Sequence, residues 1–164
     1  MKTTIRLALF GTVCTGAVFA FAAADLPKEG NYDFISCFSG VSYPIAFSNT
    51  HSAIVYEHTG TTLSTPPGSI FDRGSFYCVG MNTTFAGKDT GTMICETTFP
   101  DGKVLTKVSL APNGTTQNRE VIAGTGKYEG MVSSGNVTTL GTFPVIKQGS
   151  FLNCGHQTGT YKLK

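Results

Sequence analysis

Turn-forming residues interrupt this chain about every 8 to 12 positions, and nothing after residue 24 shows the period of an amphipathic helix. That rhythm is typical of an all-β sandwich or barrel. The predicted strands cover residues 32–38, 42–47, 52–58, 75–81, 92–99, 103–110, 119–123, 127–132, 136–140 and 150–163, the last with a break near Gly155. Residues 59–74 form the longest interruption between predicted strands, and we interpret them as a loop over one barrel mouth or as an irregular sheet edge.

Residues 1–24 have the pattern of an export signal. Lys2 and Arg6 form a short basic start, an apolar run covers residues 7–20, and small alanines follow at 22–24. We expect cleavage after Ala24, a single domain over residues 25–164, and a secreted or periplasmic protein. The apolar run is too short to span a bilayer comfortably and no second one follows, so we expect no membrane anchor.

Charge argues against polyanionic partners. The formal net charge of +2 disappears when Lys2 and Arg6 are removed with the leader, so we expect neither nucleic acid nor an anionic membrane as a partner. No sequence pattern indicates a cofactor. Gly124-Thr125-Gly126 is not a phosphate loop, because no helix is predicted after it.

Four cysteines follow the leader: Cys37, Cys78, Cys95 and Cys154. An even number in an exported chain predicts two disulfides, with three possible connectivities and buried free thiols as the alternative. We favour Cys78 with Cys95 across one hairpin, and Cys37 with Cys154 between the first and last strands of a closed barrel. The spacing contains no Cys-x-x-Cys, and we predict no metal site.

The turn Pro100-Asp101-Gly102 is the best local anchor for the strand register. A three-residue loop with Gly102 in the left-handed position would place Glu96 opposite Thr106. One face of this hairpin would then point inward, carrying Ile94, Glu96, Thr98, Val104, Thr106, Val108 and Leu110.

The preceding hairpin, residues 77–96, has two possible registers. In the first, the numbers of two directly paired residues add up to an odd total. Cys78 then lies opposite Cys95 on the outer face, and the interior gains Arg73, Ser75, Tyr77, Val79 and Met81. A bulge would exchange the two faces, because a slip of one residue moves every side chain to the other side. From the first register we predict a ligand-binding interior formed by Arg73, Tyr77, Val79, Met81, Ile94, Val104, Thr106, Val108 and Leu110.

Glu96 is the only catalytic candidate. A carboxylate on an apolar inner face would be desolvated and its pKa raised, as suits a general acid or base. The alternatives are a buried Glu96 paired with Arg73, or a Glu96 turned outward by a register slip. Strand alternation places Tyr56 and His58 on one face and Glu57 on the other, where we expect surface or mouth positions.

The segment Ala123-Gly124-Thr125-Gly126-Lys127-Tyr128-Glu129-Gly130-Met131, followed by Gly135, resembles the Gly-Thr-Gly-Lys-aromatic-x-Gly segment of allene oxide cyclase-like and dirigent-like barrel proteins. The resemblance covers about ten residues. It implies an antiparallel barrel of about eight strands, often oligomeric, whose apolar cavity holds a lipid-like or phenolic molecule and in some members steers its cyclisation. It transfers no catalytic residue to this chain.

These observations together predict an exported, disulfide-containing β-barrel that binds a small hydrophobic molecule, with a cyclase or isomerase acting through Glu96 as a special case. The alternative is a non-catalytic interaction or structural protein, with a barrel filled by its own side chains and an outer face or homo-oligomer interface as the active surface. About eight strands leave room for either interior.

Overall fold

The computed structural model describes residues 27–110 and 117–164, so the predicted leader lies outside the described residues. Eight antiparallel strands follow one another in chain order, and β8 pairs with β1 to close the barrel. The strands are β1 (Glu29–Ser48), β2 (His51–Ser64), β3 (Ser75–Phe85), β4 (Lys88–Phe99), β5 (Gly102–Leu110), β6 (Gln117–Gly126), β7 (Val132–Thr142) and β8 (Ser150–Lys162). The predicted all-β, eight-stranded antiparallel barrel is confirmed. No helix in the described part of the chain could span a membrane.

Several predicted element boundaries are wrong. The expected strands 32–38 and 42–47 are one continuous β1, because Gly40 between them pairs with both β2 and β8. Strand β8 has no break at Gly155, and β2 extends to Ser64. Residues 127–130 form a turn where we predicted a strand.

The loop between β2 and β3 folds back into one end of the barrel. Ile70 and Phe71 are each 1% exposed. Two side-chain hydroxyls of β2 form hydrogen bonds with their backbone: Ser64 Oγ donates to the Ile70 carbonyl at 2.7 Å, and Thr62 Oγ1 donates to the Phe71 carbonyl at 2.6 Å. Asp72 accepts the backbone N–H groups of Ser64 and Gly68. We call this end of the barrel the plugged end.

Aromatic packing fills the plugged end. Phe71 lies with its ring centroid 5.2 Å from that of Tyr32 and 5.9 Å from that of Phe99, and Phe99 lies 5.1 Å from Tyr128. The buried cluster consists of Tyr32, Phe34, Ile70, Phe71, Phe99, Val104, Val121, Tyr128, Met131 and Tyr161. The hydrophobic core therefore occupies one half of the barrel rather than its whole length.

Both predicted disulfides are present. Cys37 is bonded to Cys154 across the β1–β8 seam, at a sequence separation of 117, and Cys78 is bonded to Cys95 across the β3–β4 hairpin. Two disulfides indicate an oxidising environment. The predicted outward position of Cys78 and Cys95 is wrong, because both are buried and face the interior.

This error comes from the β4–β5 turn, which is one residue shorter than predicted. Phe99 pairs with Gly102, leaving Pro100 and Asp101 as a two-residue connection, and Glu96 therefore pairs with Leu105 instead of Thr106. The first of the two registers predicted for the β3–β4 hairpin is correct, since Cys78 pairs with Cys95. The one-residue error therefore reversed the inner and outer faces of both β3 and β4.

Candidate functional site

The half of the barrel away from the plugged end is hollow. An inner cavity of about 80 Å³ lies against the plug and is lined in part by Phe34, Phe71, His58, Thr106 and Arg119. A wider mouth pocket of about 340 Å³ lies beyond it, lined in part by Ile54, Tyr56 and Phe151. The two spaces are adjacent along the barrel, because five residues line both: Phe38, His58, Met93, Gln117 and Thr139.

Glycines on the inner face make room for the aromatic rings. A Cβ at Gly80 would lie 2.5 Å from the Tyr56 ring, and one at Gly60 would lie 2.6 Å from the ring of Phe76. A larger residue at Gly80 would therefore collide with Tyr56, which lines the mouth pocket, and one at Gly60 with Phe76, which lines the inner cavity. The absence of a side chain at Gly60 and Gly80 thus shapes the hollow half of the barrel.

Arg119, on β6, is the most unusual residue of the interior. It is 5% exposed, and its guanidinium carbon lies 4.6 Å from the ring centroid of Phe71, 5.3 Å from that of Tyr32 and 5.4 Å from that of Phe34. Burial lowers the pKa of Arg119, with a smaller opposing effect from Tyr32. Arginine nevertheless stays protonated in proteins, so the barrel encloses a positive charge.

The hydrogen bonds of this guanidinium are few and long. In the described part of the chain, Nη1 donates to Ser133 Oγ at 3.4 Å and Nη2 to Thr106 Oγ1 at 3.5 Å, whereas typical N–H···O distances are about 2.7–3.2 Å. No described Asp or Glu lines the inner cavity or the mouth pocket. Nor does any described carboxylate form a salt bridge with Arg119.

His58 separates the inner cavity from the mouth pocket. Its ring stacks on Phe38 with centroids 4.4 Å apart, and its Nδ1 is buried without a hydrogen-bond partner among the described residues. Burial lowers the pKa of His58 from 6.5 to about 4. The imidazole is therefore neutral at physiological pH and is a weak base.

His58 also lies beside the Cys78–Cys95 disulfide, with all three potential ligand atoms within 4.8 Å of one another. Metals bind cysteine as the thiolate. Because the two sulfurs are bonded to each other, the cluster does not provide a metal site in this oxidised form.

Glu96 does not lie in the interior, so its predicted position there is wrong. Its carboxylate is 56% exposed, and Lys103 Nζ lies 2.9 Å from Oε1. Glu96 is therefore solvated and ion-paired, and it lacks the apolar surroundings predicted for a general acid or base. Arg73, the suggested partner, is 76% exposed and contacts Asp72 instead.

Four other residues predicted to line the cavity also face outward. Tyr77, Val79 and Met81 are each 47% exposed, and Tyr77 donates a 2.7 Å hydrogen bond to Glu57 on the outer face. Ile94 pairs with Val79 and Lys107 on that face. The predicted interior positions of Tyr77, Val79, Met81 and Ile94 are therefore wrong, for the register reason given above. The interior position of Arg73 is wrong for another reason, because Arg73 lies in the loop before β3.

On β5 the predicted inner face is correct, whereas its role in ligand binding stays a prediction. Val104, Thr106 and Val108 are buried on the inner face. Thr106 and Val108 line the inner cavity, whereas Val104 belongs to the aromatic core. Leu110 is half-buried and lines a small recess of about 20 Å³ beside Tyr56 and Gln117.

Sequence reasoning missed Arg119 and underrated His58. Arg119 alternates with Val121 on a predicted strand, so a shared inner face could have been suspected. Strand alternation did group Tyr56 with His58, and both line the mouth pocket. An isolated arginine or histidine is ordinarily placed at the surface, which is why neither residue was selected.

Comparison of the chain with protein-family models and with curated protein sequences gives no match. The resemblance to allene oxide cyclase-like and dirigent-like barrels therefore remains a prediction. The structural role of the segment that carries it is clear. Gly124 and Gly126 end β6, and Tyr128 turns back to fill the plugged end.

Proposed function

We propose that this barrel binds a small, mainly apolar molecule in its interior, entering through the mouth pocket. The hollow half of the barrel carries the proposal, because a structural barrel would be filled with side chains along its length. Together the inner cavity and mouth pocket form a concave space lined by aromatic rings and by hydroxyl and amide side chains, and ligand sites likewise combine apolar walls with polar groups. A leader at residues 1–24 would deliver the protein to the oxidising compartment that its disulfides indicate.

The proposal is for binding rather than catalysis. Glu96, the predicted acid or base, is paired with Lys103 on the outer surface. His58 is a weak base at physiological pH because its pKa is about 4. No described carboxylate lines either cavity to assist it. The residues that line the described interior therefore support holding a molecule more than proton transfer.

Binding can be tested with N-phenyl-1-naphthylamine, a neutral dye whose fluorescence rises in apolar surroundings. We expect about one dye per barrel, since such sites are few and largely preformed. Met93→Trp should weaken binding at least tenfold by filling the passage between the cavities. Ile94→Trp, its outward-facing neighbour, should leave binding unchanged, and so should Glu96→Gln.

Circular dichroism would establish that each variant is folded. If Met93→Trp does not fold, Thr139→Leu, at another residue that lines both cavities, provides a second test of the same passage. Absence of saturable dye binding, or equal loss in the Met93 and Ile94 variants, would disprove the interior site.

A second candidate function, self-association, rests on the outer face of β1–β3. Tyr43 pairs with Val55, and Val55 with Met81, forming a row whose members are 64%, 49% and 47% exposed. Ile45 and Phe47 extend it, at 68% and 87% exposure. The row has no charged member, so the same face of a second copy could cover it in an isologous dimer.

Sedimentation equilibrium would test this homo-oligomer. Val55→Glu should shift the protein toward monomer, because a carboxylate would be buried at the centre of the interface. Ile122→Glu on β6 is the matched control, since Ile122 is also 49% exposed but lies outside this face. A wild-type protein that remains monomeric at high micromolar concentration would rule out the dimer.

A further inference from the structure

We infer that the ligand carries an anionic group, such as a carboxylate, which binds the guanidinium of Arg119 at the base of the inner cavity. This inference rests on the proposed interior site and specifies the chemistry of its occupant. The occupant would be an amphiphile, with its charged end against Arg119 and its apolar body extending past His58 toward the mouth pocket.

Arg119 carries a buried positive charge that no described carboxylate neutralises. A buried cation is normally paired with a carboxylate and hydrogen-bonded, because removing it from water is otherwise strongly unfavourable. Arg119 instead faces three aromatic rings, the buried Tyr32 hydroxyl, which favours its charged form, and two distant hydroxyls. Guanidinium has five N–H donors, so most of its hydrogen-bonding capacity is unused among the described residues.

The position of Arg119 also suits an anion-binding residue. Arg119 lines the inner cavity itself, beside Thr106, whose hydroxyl could add a donor to an anion. The polar side chains on the cavity wall are otherwise uncharged: Ser36, Thr62, Thr97, Gln117, Thr139 and Gln157. Arg119 is thus the one charged side chain in the described cavity wall, apart from His58, which is neutral at physiological pH.

The inner cavity is too small for a whole ligand of ordinary size. Its volume of about 80 Å³ holds a carboxylate and a few carbons but is smaller than the roughly 150 Å³ cavity known to admit benzene. The remainder of a larger molecule must therefore occupy the mouth pocket, whose walls combine Ile54 and Phe151 with polar residues such as Asn82. A charged head in the inner cavity, with a longer body in the mouth pocket, matches these two volumes.

The test compares decanoate with 1-decanol as competitors of bound N-phenyl-1-naphthylamine at pH 7.5. Because charge-assisted hydrogen bonds are the strong ones, we expect decanoate to displace the dye at a concentration about 10- to 100-fold lower than decanol. Arg119→Met, similar in length but uncharged, should abolish this preference while decanol still competes. Arg119→Lys, which keeps the charge, should retain part of it.

The two proposals can fail separately. Failure of the neutral dye to bind would refute the interior site, whereas dye binding with equal competition by decanoate and decanol would refute only the anionic group. The wild-type comparison does not depend on the variants, so it remains decisive if Arg119→Met does not fold. A preference for decanoate that survives in folded Arg119→Met would place the carboxylate elsewhere and overturn the assignment.

A free inorganic anion could bind Arg119 through the same interactions as the carboxylate of an amphiphile. Sodium phosphate at the same concentrations should neither displace the dye nor raise the melting temperature as decanoate does. Protection by phosphate equal to that by decanoate, lost in Arg119→Met, would show that Arg119 serves a free anion and would overturn the inference of an amphiphile.

Discussion

The Tyr128 hydroxyl donates a 2.9 Å hydrogen bond to Asp101 Oδ1, joining the β6–β7 turn to the β4–β5 turn. Lys127 Nζ lies 3.0 Å from the other carboxylate oxygen. The glycines around these residues permit the contact, since a Cβ at Gly124 would collide with the Tyr128 backbone and Gly126 has φ of 60°. The glycine-rich segment thus anchors one turn on another and holds Tyr128 in the plugged end.

Asp101→Ala should lower the free energy of unfolding by about 1–3 kcal/mol, because it removes hydrogen bonds to a charged group. Burial alone would raise the pKa of Asp101, but Lys127 and Tyr128 lower it below its usual 3.8. The stabilisation is therefore present above pH 3.8 and is lost as pH falls through the lower folded pKa. Urea denaturation at pH 7 and pH 3 measures both effects. Glu129→Ala, at an exposed neighbour, is the control and should change little.

The length of the β4–β5 turn was predicted wrongly, and this error misplaced the site residues of β3 and β4. The sequence of Phe99 to Lys103 fits a three-residue bulged loop as well as a two-residue turn. The hydrogen bonds of Asp101 to Tyr128 and Lys127, 26 and more residues away in the chain, accompany the shorter turn. Local propensity contains no information about such contacts, so Glu96 was placed on the wrong face.

Other parts of the fold depended on stronger local signals. The cysteine pairing followed from the hairpin register and from barrel closure, and both were predicted correctly. The apolar alternation of Val104 and Val108 identifies the inner face of β5, and the error in turn length leaves this face unchanged. The buried charge of Arg119 could not be predicted in this way, because its environment is assembled from four strands and the plug.

The disulfide between Cys37 and Cys154 closes the barrel seam, and its removal should be strongly destabilising. Cys37→Ala with Cys154→Ala should lower the free energy of unfolding by about 5 kcal/mol, since the loop-entropy cost grows with the 117 residues that the bond encloses. Urea denaturation of oxidised proteins measures the loss. Mild reduction of the wild type should reproduce part of it, because Cys37 is exposed. A loss below about 1 kcal/mol would show that strand pairing alone holds the seam.

Protonation of His58 should destabilise the fold at mildly acidic pH. The unfolded chain binds this proton near pH 6.5, whereas the folded protein binds it only near pH 4, because burial disfavours the imidazolium. Stability therefore falls as pH drops from 6.5 to about 4, by up to about 3 kcal/mol. His58→Gln should remove this part of the pH dependence, while His51→Gln, at an exposed position, should keep it. Parallel stability profiles for wild type and His58→Gln would contradict the assignment.

Arg119→Met should raise the stability of the ligand-free barrel by about 1–3 kcal/mol. The substitution removes a buried charge whose loss of hydration is only partly offset by three aromatic faces and two long hydrogen bonds. Methionine also fits the aromatic surroundings as a flexible apolar side chain.

Arg73→Met is the matched control, because Arg73 is 76% exposed and its replacement should change stability by less than about 0.5 kcal/mol. Thermal and urea denaturation of delipidated protein give the comparison. Decanoate should then stabilise the wild type but not Arg119→Met, since only binding to the folded state shifts the unfolding equilibrium. A large loss of stability in Arg119→Met would mean that the rings and hydroxyls satisfy the charge by themselves, and that Arg119 holds the barrel together without an anion.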